Sequence, residues 1–384
     1  MVSIMNNYRE KILMLLNKKG ELTKQDIAKE IGITIPTVIS NIKELKKDGL
    51  VAEVKVADST GGRRPVIVSF LPDSRFSFGV DISPENVRVI LTNLKSEIKC
   101  NKDFAIDSIK DMNAIMNKIV SIVNDIIEEF KINIDNILGI GFSLPGAVDE
   151  EDFILGLAPN LGVKNVDFKK YQTLFPFPMY IENEANAAAF GEINLGIAKE
   201  MRNLVYISIT YGIGTGIVIQ DCLYKGKNRR AGEFGHMTLV PGGRCCKCGR
   251  QGCWEMYSSE RALLDSFKEE TGKTNVNIED FFQELKTGDE KIERIFDDYL
   301  NSLAVGIQNI IIILDPHYIV LGGKISAYSE YFMDKLKEKI FIPNSFFEEG
   351  DSKIFAAKLK ENSSILGASL LPIQKIFSIT EKII

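Results

Sequence analysis

The chain has 384 residues, 45% hydrophobic and 26% charged, with a formal net charge of -5 and six cysteines. This composition excludes a disordered chain and suits two or three domains with sizeable cores. No run of about 18 apolar residues occurs, which argues against a membrane span. The short apolar stretch after Arg9 and Lys11 breaks at Asn17 without a small-residue cleavage site, which argues against a signal peptide, so a cytoplasmic protein with reduced thiols is expected.

The charge is unevenly spread. Residues 1–72 carry 12 Lys and Arg against 8 Asp and Glu, and the remainder 35 against 44. A basic head on an acidic body is compatible with nucleic-acid binding by the head alone. Helical periodicity covers Tyr8–Asn17, with Ile12, Leu13, Leu15 and Leu16 on one stripe. Thr23 with Asp26 three residues on resembles a capping box, and Gly32 is a left-handed stop for that second helix. Thr34 opens a third helix with Pro36 in its first turn. Val38, Ile42 and Leu45 are expected to be buried, with Thr37, Ser40, Asn41 and Glu44 facing out.

Two strand-like runs follow, Val51–Ala57 and Pro65–Leu71, joined by a Gly-rich tip that ends in Arg63 and Arg64. The pattern is a winged helix-turn-helix over residues 1–72. Pro36, Thr37, Ser40 and Asn41 are the candidates for the major groove, and Arg63 and Arg64 for phosphates or a narrow minor groove. A head used only for protein contacts is the alternative.

Residues 75–384 alternate strands and helices. Strand-like runs at Phe76–Asp81, Val87–Leu94, Ile137–Phe142 and Asn203–Val218 surround a helical stretch, Ile109–Phe130. An α/β protein of two lobes with a ligand cleft between them is expected, with lobes near 75–185 and 186–365 and a returning helix over 366–384. Four segments carry chemistry. They are Gly139–Asp149 with Pro145 and Gly146, Ile181–Ala189 with Asn183 and Glu184, the hairpin Thr210–Ile217 with Gly212, Gly214 and Gly216, and Gly232–Glu255. The last holds Glu233, His236 and four of the six cysteines.

On these segments the chain resembles the ROK family of repressors and sugar kinases, which have the actin-like ATPase fold, and most of all its xylose-repressor type. The resemblance covers essentially the whole chain. It implies a structural zinc on His236, Cys246, Cys248 and Cys253. Three thiolates and one imidazole close a tetrahedral shell. The adjacent Cys245 leaves the register between 245 and 246 open, and a patch of free thiols is the alternative.

The resemblance also implies a sugar site at Asn183, Glu184, Glu233, His236 and Glu255, floored by Pro145 and Gly146. Kinases of the family carry Asp where this chain has Glu184, the general-base position. The extra methylene moves the carboxylate by roughly 1 Å, and such misplacement costs up to about 100-fold. They also carry a Gly-Gly-Thr phosphate loop where Asp81 is here followed by Ile82-Ser83-Pro84-Glu85-Asn86. Gly212, Gly214, Gly216, Gly322 and Gly323 are then vestiges of a nucleotide site. The expectation is a sugar-responsive repressor, a homodimer or higher homo-oligomer on double-stranded operator DNA, with no membrane partner. An ATP- and Mg-dependent sugar kinase with an appended head is the alternative.

Overall fold

The structure is a computed structural model that describes residues 7–55, 66–106, 111–377 and 382–383. In the head, α1 (Asn7–Lys19), α2 (Lys24–Ile31) and α3 (Ile35–Lys47) are set by local signals. Thr23 Oγ1 accepts from the Asp26 N–H while the Asp26 carboxylate accepts from the Thr23 N–H. This reciprocal cap satisfies two donors that the start of α2 would otherwise leave orphaned. Gly32 ends α2 at φ 72°, a left-handed conformation that costs other residues about 1–2 kcal/mol. Thr34 caps α3 and Pro36 sits in its first turn. The three helices share a core of Ile12, Leu13, Leu16, Ile27, Val38, Ile42 and Leu45. Strands β1 (Leu22–Thr23), β2 (Val51–Lys55) and β3 (Val66–Phe70) form an antiparallel sheet in the order β1-β3-β2. Arg63 and Arg64 lie outside the described residues.

The body contains two sheets built on one plan. The first joins β4 (Phe76–Ile82), β5 (Asn86–Asn93), β6 (Ile98–Ala105), β7 (Ile137–Leu144) and β11 (Met179–Asn183) in the order β11-β7-β4-β5-β6. Its β11, β7 and β4 run parallel, while β5 and β6 follow β4 as an antiparallel meander. Helix α4 (Met112–Glu129) starts later than its periodicity suggests because Asp111 caps it through the Asn113 N–H. A smaller sheet, β8 (Val148–Asp149), β9 (Ile154–Ala158) and β10 (Val163–Asp167), extends from the end of β7.

The second large sheet joins β12 (Leu204–Ile209), β13 (Ile213–Ile219), β14 (Cys222–Leu223), β15 (Tyr318–Gly322), β16 (Lys353–Ala356) and β17 (Lys382–Ile383). Again three parallel strands, β16-β15-β12, lead into an antiparallel meander, β12-β13-β14. Helices α6 (Glu255–Ser258), α7 (Glu260–Thr271), α8 (Ile278–Leu285), α9 (Glu290–Leu314) and α10 (Met333–Ile340) belong to this half. Trp254, Phe267, Phe281, Phe282 and Phe296 fill its core.

Two helices join the halves. α5 (Glu184–Asn194) leaves β11 and lies on β12 and β13, whereas α11 (Ser363–Phe377) returns to lie on β4 and β7. The two pack on each other over their length. Close approach requires glycine here, since a Cβ at Gly367 would fall on the Ala187 carbonyl and one at Gly141 on the Ala368 carbonyl. The far half of α11 carries the head. Leu370, Leu371, Ile373, Ile376 and Phe377 merge with the head core, and the Phe70 and Phe377 rings meet edge-on at 6.1 Å. Head and body therefore share one hydrophobic core. Among the described residues, no helix is long and apolar enough to cross a membrane.

Candidate sugar cleft, metal cluster and DNA-facing helix

A cavity of about 1100 Å³ opens between the two large sheets. Pro145, Gly146, Asn183, Glu184, Glu233, His236 and Glu255 all line it. Strand and helix ends deliver them. Asn183 closes β11 and caps α5, its Oδ1 accepting from the Asn186 N–H at 3.1 Å. Its Nδ2 donates to the Gly146 carbonyl at 2.8 Å, which ties the two segments together. Gly146 holds φ 94°, and a Cβ there would strike the Leu157 carbonyl, so this turn requires glycine. Asn160, on the loop after β9, also lines the cavity, with its Oδ1 buried and its Nδ2 beside Gly212. Its neighbours Pro159 and Leu161 suggest only a turn, so nothing local announces it.

Two carboxylates sit deeper in the cleft. The Ser208 hydroxyl donates to Glu184 Oε1 at 2.7 Å, and the Ser143 hydroxyl to Asp81 Oδ1 at 2.5 Å. Burial first, then the Asp81 charge, pushes the Glu184 carboxyl up to about 7. Burial likewise raises Asp81. Glu184 thus holds its proton more tightly folded than unfolded. The contribution of this group to stability is greatest below the ordinary carboxylate range and falls as pH rises through the interval from 4.5 to about 7. Glu184→Gln keeps an acceptor for Ser208 but cannot ionise. Thermal unfolding should therefore show it closer to the wild type at about pH 5 and more stable than the wild type at about pH 8. An equal gap at both pH values would refute the buried-carboxyl assignment.

The nucleotide-type glycines divide into two groups. Gly212, Gly214 and Gly323 line the cavity. Gly216 and Gly322 do not. The space beside Gly216 is taken by Ala185 and Ala189 of α5, and that beside Gly322 by the Tyr206 ring. At these two positions the close packing leaves no room for a Cβ. Between β4 and β5 the turn closes on itself. The Ser83 N–H donates to the Asn86 carbonyl, the Asn86 N–H to Ser83 Oγ, and Pro84 has no N–H to offer.

One wall of the cleft is the His/Cys segment. His236, Cys246, Cys248 and Cys253 bring their ligand atoms within 4.8 Å of one another. Cys248 Sγ and Cys253 Sγ are 3.7 Å apart, and Cys246 Sγ is 3.6 Å from His236 Nδ1. Two sulfurs at about 2.3 Å from a tetrahedral ion would be roughly 3.8 Å apart, so the donor set fits such an ion. Cys245 is exposed and turns toward Gln251, outside the cluster, which resolves the register in favour of Cys246. His236 points Nδ1 at the thiols and Glu255, and Nε2 at Glu233 Oε2, 3.8 Å away.

On the head, α3 turns Pro36 and Ser40 outward, with Lys43 and Lys47 continuing that face. Thr37 is half-buried, its hydroxyl 2.8 Å from that of Thr34. Asn41 is not on the outer face. It is 8% exposed and donates from Nδ2 to the Thr37 carbonyl at 2.7 Å, which corrects its assignment to the DNA-reading set. Ile35 and Ile39, by contrast, are 42% and 47% exposed.

The ROK family model matches residues 77–375. The chain belongs to the ROK family. A winged helix-turn-helix DNA-binding model matches residues 5–52, so this ROK protein carries a head in addition to the family domain. It is 30% identical over 372 residues to the xylose repressor of Bacillus spizizenii, covering 96% of each chain. It is 28% identical to the glucokinase of Streptomyces coelicolor over 256 residues, 61% of this chain and 79% of that one. Among solved structures, a ROK family transcriptional regulator homologous to the E. coli MLC protein matches with a TM-score of 0.78 at 22% identity, covering 97% of this chain and 96% of that one. A ROK family glucokinase from Streptomyces griseus, in complex with glucose and AMPPNP, matches with a TM-score of 0.68 at 24% identity, covering 77% of this chain and 98% of that one. Both share the two-lobed ROK fold.

Proposed function

We propose that this ROK protein is a transcriptional repressor of carbohydrate-metabolism genes that binds operator DNA through its head and a sugar in its cleft. The observation that carries the reading is coverage. A relative named xylose repressor aligns over 96% of both chains, head included, whereas a glucokinase aligns over 61% of this chain. The internal hydrogen bonding of the Ser83–Asn86 turn adds support, because it leaves few bare amides to cradle a phosphate. Asn183, Glu184, Glu233, His236 and Glu255 supply the mixed acceptors and donors that sugar hydroxyls require.

The His/Cys cluster holds a structural zinc in this reading. Zinc would supply a rigid cross-link and no nucleophile, since four protein ligands leave no open position. His236 then ligates through Nδ1 and leaves Nε2 facing the cleft beside Glu233, so the ion orients a sugar-contacting ring.

The protein acts as a homodimer, two heads meeting two half-sites. An exposed apolar stripe on α9, of Val305, Ile312 and Ile313, offers a face for a second copy. Sugar seated at the start of α5 is relayed through the α5–α11 pair to the head. A 100-fold change in operator affinity needs about 2.7 kcal/mol of coupling, within the usual allosteric range.

Fluorescence anisotropy of operator DNA, titrated with a panel of pentoses and hexoses, tests the proposal. One sugar should shift the affinity by about 100-fold, and no shift with any sugar would remove the sensor half of it. The kinase reading draws on Glu184, whose carboxyl near 7 suits a general base. ADP release that depends on the sugar would establish that reading instead.

A further inference from the structure

The outward side of α3 has an unusual chemistry for a helix that reads bases. Asn41, the one amide on the helix, is turned inward and bonded to the Thr37 carbonyl. Glu44 is held by Arg9, with Nη2 3.6 Å from Oε2. No guanidinium lies on α3. What remains at the N-terminal end, the end a recognition helix presents to the base pairs, is mostly aliphatic. Ile35 and Ile39 are four residues apart and so lie on one side of the helix. They are 42% and 47% exposed, next to exposed Pro36 and the hydroxyl of Ser40. Lys43 and Lys47 continue the exposed surface toward the C-terminal end of the helix, charges that suit backbone phosphates.

The major groove offers one apolar group, the C5 methyl of thymine. We infer that Ile39, supported by Ile35, is a specificity-determining residue that reads a thymine methyl in each operator half-site. This deepens the DNA-binding reading above and rests on it. The base is selected by methyl contact, without the bidentate hydrogen bonds that an outward Asn, Gln or Arg would make. Burial of one methyl group is worth about fourfold in affinity.

The full-length protein first selects duplexes from a randomised pool. In the winning duplex each thymine is then replaced, one at a time, by deoxyuridine, which removes only the methyl. One position per half-site should weaken wild-type binding about fourfold, and Ile39→Ala should bind the thymine and deoxyuridine duplexes equally. Ile39→Ser, the second variant, should likewise bind the two duplexes equally, and in a duplex redesigned with a C·G pair at that position, 5-methylcytosine in place of cytosine should raise the affinity of the wild type alone. Deoxyuridine that is neutral at every position overturns the inference. So does a deoxyuridine loss that persists undiminished in Ile39→Ala, or an Ile39→Ala variant that changes oligomeric state, which would mark the patch as a protein contact. Failure to select any duplex would instead refute the DNA-binding reading itself.

Discussion

Lys225→Met is expected to cost about 3–5 kcal/mol of stability, because it strands the Glu182 carboxylate, which the fold has taken out of water, whereas Glu150 keeps Arg229 as a partner. Lys225 follows β14 in the second half of the body, and its side chain is 2% exposed. Its Nζ is 2.6 Å from Glu182 Oε2 and 2.9 Å from Glu150 Oε1, both in the first half. Glu182 in turn accepts from the Asn183 N–H at 2.8 Å and from Asn186 Nδ2 at 3.2 Å. The ammonium therefore joins the lobes and also braces the strand end that presents Asn183 to the cleft. A double variant, Lys225→Met with Glu182→Leu, should recover much of the loss, since an apolar replacement of a buried pair is often neutral. Urea unfolding of the two variants and the wild type measures both effects. A loss under about 1 kcal/mol for the single variant would show that water reaches the pair and screens it.

Cys253→Ser should abolish metal binding and, with it, weaken sugar binding. Cys253 is fully buried, and its sulfur is one of four atoms able to ligate an ion on a segment otherwise held largely by short backbone bonds such as Leu239 N–H to Gly252 C=O. Elemental analysis of the purified wild type should find about one zinc per chain, and the variant close to none. In the proposed zinc reading, losing the ion takes from His236 and Glu255 the neighbour that orients them. Calorimetry with the effector sugar should show a weakening of about 10- to 100-fold or more, the scale seen when ligand-orienting contacts are lost. A wild type that binds sugar fully after chelation and contains no zinc would refute the role given to the cluster.

What the sequence makes legible follows from how local each cause is. Thr23 with Asp26, Gly32, and Thr34 with Pro36 act over four residues or fewer, so the three helices of the head can be read directly. The cysteine spacing limits the metal ligands, but only side-chain direction separates Cys246 from Cys245. Asn41 is misread because it sits at the edge of the buried arc of α3, where a short amide can turn back to the Thr37 carbonyl. Ile39 goes unassigned, because an aliphatic side chain between Val38 and Ser40 carries no polar signal for a base edge. β6 is masked by Lys99, Asn101, Lys102 and Asp103, polar residues that suit a sheet edge as well as a loop. The Lys225 clasp depends on partners 43 and 75 residues away, beyond any local pattern.

The seat of the head on α11 has a consequence in the order of synthesis. The apolar face that includes Phe70 leaves the ribosome roughly 300 residues before Phe377, on the order of 15 to 60 s at ordinary elongation rates. Through that interval the helix-turn-helix can fold on its own local signals while its docking surface stays open to water. A chain halted before α11 would have a formed DNA-binding motif with neither its support nor its link to the cleft. Only the finished chain joins the two.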